Sequence, residues 1–254
     1  MPDIFLLLVG LFLPLFPLSM VFNALFNRVQ HVVLRCLLLL GWPHIGLAII
    51  HSTDTNVPTW IITWALATSL LYALRMLALR GVGQWNSFLA TSMWAMLWLT
   101  TTDLNQSMHH VYAFGITAPL LLLALLSAGL EKRFGAAYTD LYGGLAQSIP
   151  RFSGVLVVVI LAAIATPLFP GFFIMLKFIM DTSVAMPTAT FALLGIWLLW
   201  SWAGVRLLQG LIVGPASQNN EGEVSDLNLM SCWSYAVVLI ALILSSVYLS
   251  GGLL

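Results

Sequence analysis

Lys177, in the run "FFIMLKFIM", is a cation in a place where cations are expensive. A lysine within an apolar helix can hold or relay a proton, because desolvation weakens its grip on that proton. It can equally snorkel to the membrane surface and pair with Asp181, one helical turn on. His44, in "LLGWPHIGLAII", follows Pro43 near the middle of another apolar stretch. Its titration range suits a proton carrier, and a neutral histidine packed between helices is the plainer alternative. His109 and His110 open a further apolar stretch near one membrane surface, where a wet interfacial role is expected. His31 and His51 sit at stretch ends. Asp54 and Asp103 fall in polar connections and are expected to face water.

Other chemistry is poorly served. "GVG" at Gly81–Gly83 is a tight turn and not a phosphate-cradling loop. There is no HExxH and no nucleophile–base–acid grouping. Cys36 and Cys232 form neither a disulfide framework nor a metal-ligand pair. Paired histidines can ligate haem, but no second histidine at mid-depth is expected to face His44. No cofactor and no metal are therefore expected, and any redox catalysis would lie in partner subunits.

The elements that must carry these residues belong in lipid. Of 254 residues, 61% are hydrophobic and 7% charged, with a mean hydropathy of +1.00. Soluble chains carry about 25% charged residues. The formal net charge is zero, which argues against a nucleic-acid partner. A helix crosses the hydrocarbon core in roughly 20 residues. The pattern predicts an all-α polytopic membrane protein, a single membrane-embedded domain over 1–254, with about eight crossings. They run near Ile4–Phe22, Val32–Ile50, Thr59–Leu79, Asn86–Thr101, His109–Leu130, Phe152–Met180, Thr188–Val213 and Ser231–Ser250.

Arg28, Arg35, Arg75, Arg80, Lys132, Arg133, Arg151 and Arg206 mark one side, eight of the nine basic residues. The positive-inside rule makes that side cytoplasmic and puts both termini on the other. Trp60, Trp85 and Trp233 lie near predicted helix ends, where interfacial anchors belong. The word "PLFP" occurs twice, at Pro14–Pro17 and at Pro167–Pro170, each time inside an apolar run. Proline removes a backbone donor and breaks a helix. The two copies are expected on helices running in opposite senses, as in inverted repeats. Pro43 and Pro119 are expected only to kink theirs.

The run from "MHHVYAFGITAPLLLLALLSAGLEKR" through "YGGLAQSIP" to "ATPLFPGFF" resembles the antiporter-like subunits of respiratory complex I. Mrp-type cation/proton antiporters, energy-converting hydrogenases and inorganic-carbon accumulation complexes share that fold. The positions that carry the resemblance are Tyr142, Gly143, Gly144, Leu145, Pro150, Pro167, Pro170, Gly171, Phe172 and Phe173, with Pro14 and Pro17 matching an earlier broken helix. It implies the carboxy-terminal portion of such a subunit, without the helix that bears the family's key glutamate. It also implies other membrane subunits as partners, a bacterial inner membrane, and a part in proton or cation transport.

The departures bear on conduction. Where the family carries chargeable residues, this chain has Phe12, Ser19, Leu37–Leu40, Phe114 and Met175; Lys177 lies two positions beyond the last of these. A degenerate, non-conducting scaffold beside a competent paralogue is one alternative this implies. The membrane partner in proton-driven inorganic-carbon uptake is another. On the resemblance, Phe114 and Met175 should line the space a charged relay would occupy.

Overall fold

The structure is a computed structural model that describes residues 2–52, 57–102, 106–139, 144–214 and 225–251. Asp54, Asp103, Tyr142 and Gly143 lie outside them. Among the described residues the regular structure is helical, apart from one bridge pairing Gly81 with Tyr138. The helices are α1 (Pro2–Phe12), α2 (Ser19–Arg28), α3 (Val32–Ser52), α4 (Thr59–Met76), α5 (Val82–Ala95), α6 (Gln106–Phe134), α7 (Leu145–Ser148), α8 (Pro150–Ala163), α9 (Pro170–Ala185), α10 (Pro187–Ile212) and α11 (Leu229–Gly251). A 3-10 segment, Met96–Thr102, continues α5. Helices α3, α10 and α11, and Met108–Phe134 of α6, are each long and apolar enough to cross a membrane. The chain is an integral membrane protein.

Proline sets several boundaries by its chemistry. Pro150, Pro170 and Pro187 each open a helix, where a missing N–H costs nothing and the fixed φ is already helical. Pro43 and Pro119 lie inside helices that continue past them.

At the first "PLFP" the chain leaves α1 at Phe12 and resumes helix at Ser19. At the second it leaves α8 at Ala163 and resumes at Pro170. Backbone groups freed in lipid must find partners inside the protein, and they do. The indole N–H groups of Trp42 and Trp98 donate to the carbonyls of Leu11 and Leu13, both at 3.0 Å. The Phe16 N–H donates to Thr68 Oγ1 at 3.0 Å. At the second break Trp197 donates to Ala165 O at 3.2 Å, and Ser246 to Leu168 O at 2.7 Å. The breaks differ in backbone: Ala165 and Leu168 have φ of 58° and 86°, values that side chains resist, while Phe16–Pro17 is cis.

Glycines let neighbouring helices approach the breaks. A Cβ on Gly46 of α3 would lie 2.9 Å from Leu13 Cγ and 3.1 Å from the Leu13 nitrogen. A Cβ on Gly115 of α6 would lie 2.9 Å from Ile174 and 3.2 Å from Pro170. Thus α3 seats against the first break and α6 against the second, while α3 and α6 pack on each other.

Helix α5 is the interior. From Trp85 to Ala95 every residue is buried, which explains how a stretch with Asn86, Ser87, Thr91 and Ser92 is tolerated: protein, not lipid, surrounds it. Trp85 is therefore no interfacial anchor. It is 1% exposed, whereas Trp60 and Trp233 are 58% and 63% exposed.

Candidate functional site

Four of the five histidines meet where α3 packs on α6. His44 and His51 are seven residues apart, so they share a face of α3 about 10 Å apart along its axis. His109 and His110 open α6 opposite them. His44 Nδ1 lies 3.0 Å from His110 Nδ1, with the rings stacked 13° from parallel. His51 Nε2 lies 2.9 Å from His109 Nδ1. The two pairs touch through His51 and His110, whose rings meet edge-on with centroids 5.4 Å apart. His31, the fifth, is exposed before α3.

This corrects the sequence reading in two respects. His44 does have a facing histidine, His110. His51 lies at the end of α3 and His109 near the start of α6, as expected, but they pair with each other and His109 is buried. The spacing 44/51 on one helix with 109/110 on another carried the signal, but only knowledge that α3 and α6 are neighbours turns it into a cluster.

Each contact needs one ring nitrogen with a proton and one with a lone pair. A pair can therefore be neutral or hold one extra proton, and a second proton would set two cations face to face. Such a pair has the chemistry needed to hold one extra proton. Between the pairs lies a ring contact, so transfer across it needs a bridging water. His109 Nε2 is buried with no protein partner, and a buried polar atom of that kind calls for water. Among the described residues no group of three or more His, Cys, Asp or Glu is placed to hold a metal ion.

Lys177 is elsewhere in the site's surroundings. Its Nζ lies 2.8 Å from Asp181 Oδ2, in an i,i+4 pair on α9 with side chains 26% and 45% exposed. This is the pairing with Asp181 that the sequence allows, with the charge matched. Met175 is buried beside Met93, Gly171 and Trp200. Phe114 is not: it is 51% exposed, because the buried face of α6 runs through His109, Ala113, Ile116 and Leu120, and position 114 points away from it. Phe114 therefore lines no relay space. Pro14, Pro17, Pro167, Pro170 and Gly171 sit at the two breaks, and a Cβ on Gly171 would come within 3.1 Å of Ala165 Cβ.

A second polar region went unnoticed in the sequence. Arg35 Nη1 donates to both oxygens of Glu131, at 3.0 and 3.1 Å, and Arg35 Nε to Val29 O at 2.7 Å. The pair lines an open cavity of about 420 Å³ with Asn27, Gly83 and Gln84. Ser127 Oγ and Asn86 Oδ1, further in along α6 and α5, are buried without partners, as is Asn23 Oδ1. Asn23 also bonds to Thr91, and Ser19 to Tyr72 near the first break. Buried small polar residues within apolar helices were the available signal.

No family model matches the sequence, and no curated protein matches it. Solved structures do. One chain of respiratory complex I from Thermus thermophilus with bound NADH aligns at a TM-score of 0.79 and 18% identity, over 96% of this chain and 54% of that one. One chain of the Mrp complex from Dietzia sp. DQ12-45-1b aligns at a TM-score of 0.70 and 13% identity, over 96% and 55%. The protein thus has the fold of membrane chains found in these complexes, and it spans about half the length of the solved chains it matches.

Proposed function

We propose that the chain is an antiporter-like membrane subunit of a multi-subunit ion-translocating complex, and that protons pass through its histidine cluster. The observation that carries this is the placement of His44, His51, His109 and His110 between the two helices seated on the breaks. The orphaned polar atoms from the Arg35–Glu131 cavity inward supply positions for water on the opposite side. In this reading each broken pair counts as one crossing, as does α5 with its 3-10 extension. That gives eight crossings, with α1–α2 and α8–α9 as the centres of inverted repeats and both termini away from the cytoplasm. The membrane would be a bacterial inner membrane. The fold likeness to chains of complex I and of the Mrp complex supports the partnership with other membrane subunits.

The test is proton flux in proteoliposomes holding the complex with which the chain purifies. His44→Ala and His110→Ala should each lower flux roughly tenfold or more. The double variant should be little worse than either single one, because the two rings share one hydrogen bond. Lys177→Met, whose charge Asp181 already balances, should change flux far less. Unaltered flux in the double variant would make this chain a non-conducting scaffold beside a competent subunit.

A further inference from the structure

We infer that the space over Gly83 holds a bound water between Glu131 and Ser127, and that Gly83 is the neck through which water from the Arg35–Glu131 cavity reaches the interior. A Cβ built on Gly83 would lie 3.6 Å from Ser127 Oγ, 3.7 Å from Glu131 Oε1 and 3.9 Å from Arg35 Nη1. Three polar atoms, from α3 and α6, thus surround one point above α5. Gly83 also lines the cavity of about 420 Å³, so that point opens onto a space with room for several waters. The polar groups that define it all lie on helices, and none of them is drawn from the loop beyond residue 139.

Ser127 shows why the point is wet. Other helix hydroxyls in this protein bond back to a carbonyl three or four residues earlier, as Ser87 does to Gln84, Thr91 to Ser87, Thr182 to Phe178 and Ser201 to Trp197. Ser127 is 0% exposed, yet its Oγ has no protein partner and faces Gly83 instead. A dry hydroxyl there would carry its full desolvation cost. A water over Gly83 meets an acceptor in Glu131 Oε1 and a donor or acceptor in the hydroxyl. Arg35 Nη1 already donates to both oxygens of Glu131, so it fixes the carboxylate and leaves the water to Glu131 and Ser127. One turn further along α5, Asn86 Nδ2 donates to Leu120 O at 3.0 Å. That bond settles which amide atom is the oxygen, and Asn86 Oδ1 is buried without a partner. A second water beyond the neck satisfies it. The use of this inlet by protons rests on the function proposed above, whereas the bound water does not.

Thermal unfolding and thiol labelling of the purified full chain in detergent provide the test. In a dry site Ser127→Ala would remove an unsatisfied hydroxyl and raise the midpoint; with a bound water it should leave the midpoint unchanged or lower it. With Cys36 and Cys232 replaced by serine, Ser127→Cys should react with methyl methanethiosulfonate in the folded protein. Ser69→Cys, equally buried but at a hydroxyl bonded to Ser92, should not. Adding Gly83→Ala should suppress the Ser127→Cys reaction without lowering the midpoint, because the new methyl meets its neighbours at ordinary contact distances. A raised midpoint for Ser127→Ala, or Ser127→Cys as inert as Ser69→Cys, would overturn the bound water. Labelling indifferent to Gly83→Ala would overturn the neck. Should Ser127→Cys not fold, the Ser127→Ala midpoint decides alone. Proton flux through the complex is read separately: Gly83→Ala should lower it. Suppressed labelling with unaltered flux would leave the water site standing and count against proton entry at this cavity.

Discussion

Asp226 caps a helix to which it does not belong. Its Oδ2 accepts from the Arg151 N–H at 2.9 Å, and its Oδ1 from the Phe152 N–H at 3.0 Å and from its own neighbour Leu227 at 2.7 Å. The residue in the capping position of α8, Ile149, has no side chain that could accept them. Burial pushes the Asp226 carboxyl up, but the three N–H groups and the Arg151 charge together hold it below its ordinary value of 3.8. A lowered folded-state pKa means that the stabilisation is fully present above the ordinary value and is lost as pH falls through the folded one. Asp226→Asn should therefore cost about 0.3–1 kcal/mol at pH 7, the worth of a negative charge at a helix N-terminus. The difference between wild type and variant should shrink as pH drops below 4, read from thermal midpoints at both pH values. Nothing in the sequence pairs residue 226 with residue 151. His44, His110 and Lys177 stood out in the sequence for the opposite reason, because a titratable group in an apolar run is conspicuous wherever it ends up. What the residue types could not give was partnership across helices: His44 looked solitary, and its contact with His110 joins α3 to α6, whereas the Lys177–Asp181 pair lies within α9 and was readable from its i,i+4 spacing.

Among the elements, α3 carries its own control experiment. Gly41 and Gly46 lie on the same helix, and a Cβ at Gly41 would meet nothing within 4 Å. At Gly46 it would press on Leu13 Cγ at 2.9 Å, on Phe12 Cβ at 3.0 Å and on the Leu13 nitrogen at 3.1 Å. A side-chain end can swing aside, but the Phe12 and Leu13 atoms belong to a chain already fixed by the Trp42 and Trp98 hydrogen bonds. Gly46→Ala should accordingly destabilise by about 1–3 kcal/mol, as overpacking does. Gly41→Ala should be neutral or should stabilise by up to about 1 kcal/mol through helix propensity. Thermal midpoints of the two variants, measured in the same detergent, check this pair of outcomes. The breaks were legible because proline acts through its own ring and missing donor, whatever the surroundings. Which glycines and tryptophans serve them was not, since a carbonyl freed at Leu13 finds its donor 85 residues away, at Trp98. The buried course of α5 was misread at Trp85 for a related reason: in a membrane chain, apolar composition marks lipid-facing and core helices alike.

At the scale of the whole molecule, the distribution of charge carries a claim about orientation. Composition alone placed the chain in a bilayer, since residues that are 7% charged cannot cover a water-facing surface. Orientation depends instead on where eight of nine cations fall, and those cations keep distinct structural company. Arg35 is held by Glu131, and Arg133 bonds to the carbonyls of Ser225 and Gly129. Lys177 and Asp181 form their own pair at the other end. An insertion that reversed the chain would put the eight cations outside and Lys177 inside, contrary to the charge asymmetry that directs insertion. Gln84, at the rim of the Arg35–Glu131 cavity, and Ser183, two residues beyond Asp181, are both exposed and report the two faces. With Cys36 and Cys232 replaced by serine, an impermeant maleimide applied to intact cells should label Ser183→Cys. Gln84→Cys should react only after the membrane is opened. Labelling in the reverse order would invert the proposed sidedness, and with it the direction in which protons entering at the Arg35–Glu131 cavity would travel toward His109. Labelling of both in intact cells would mean that the two ends of the bundle share one face of the membrane, which neither the helix lengths nor the two breaks could accommodate.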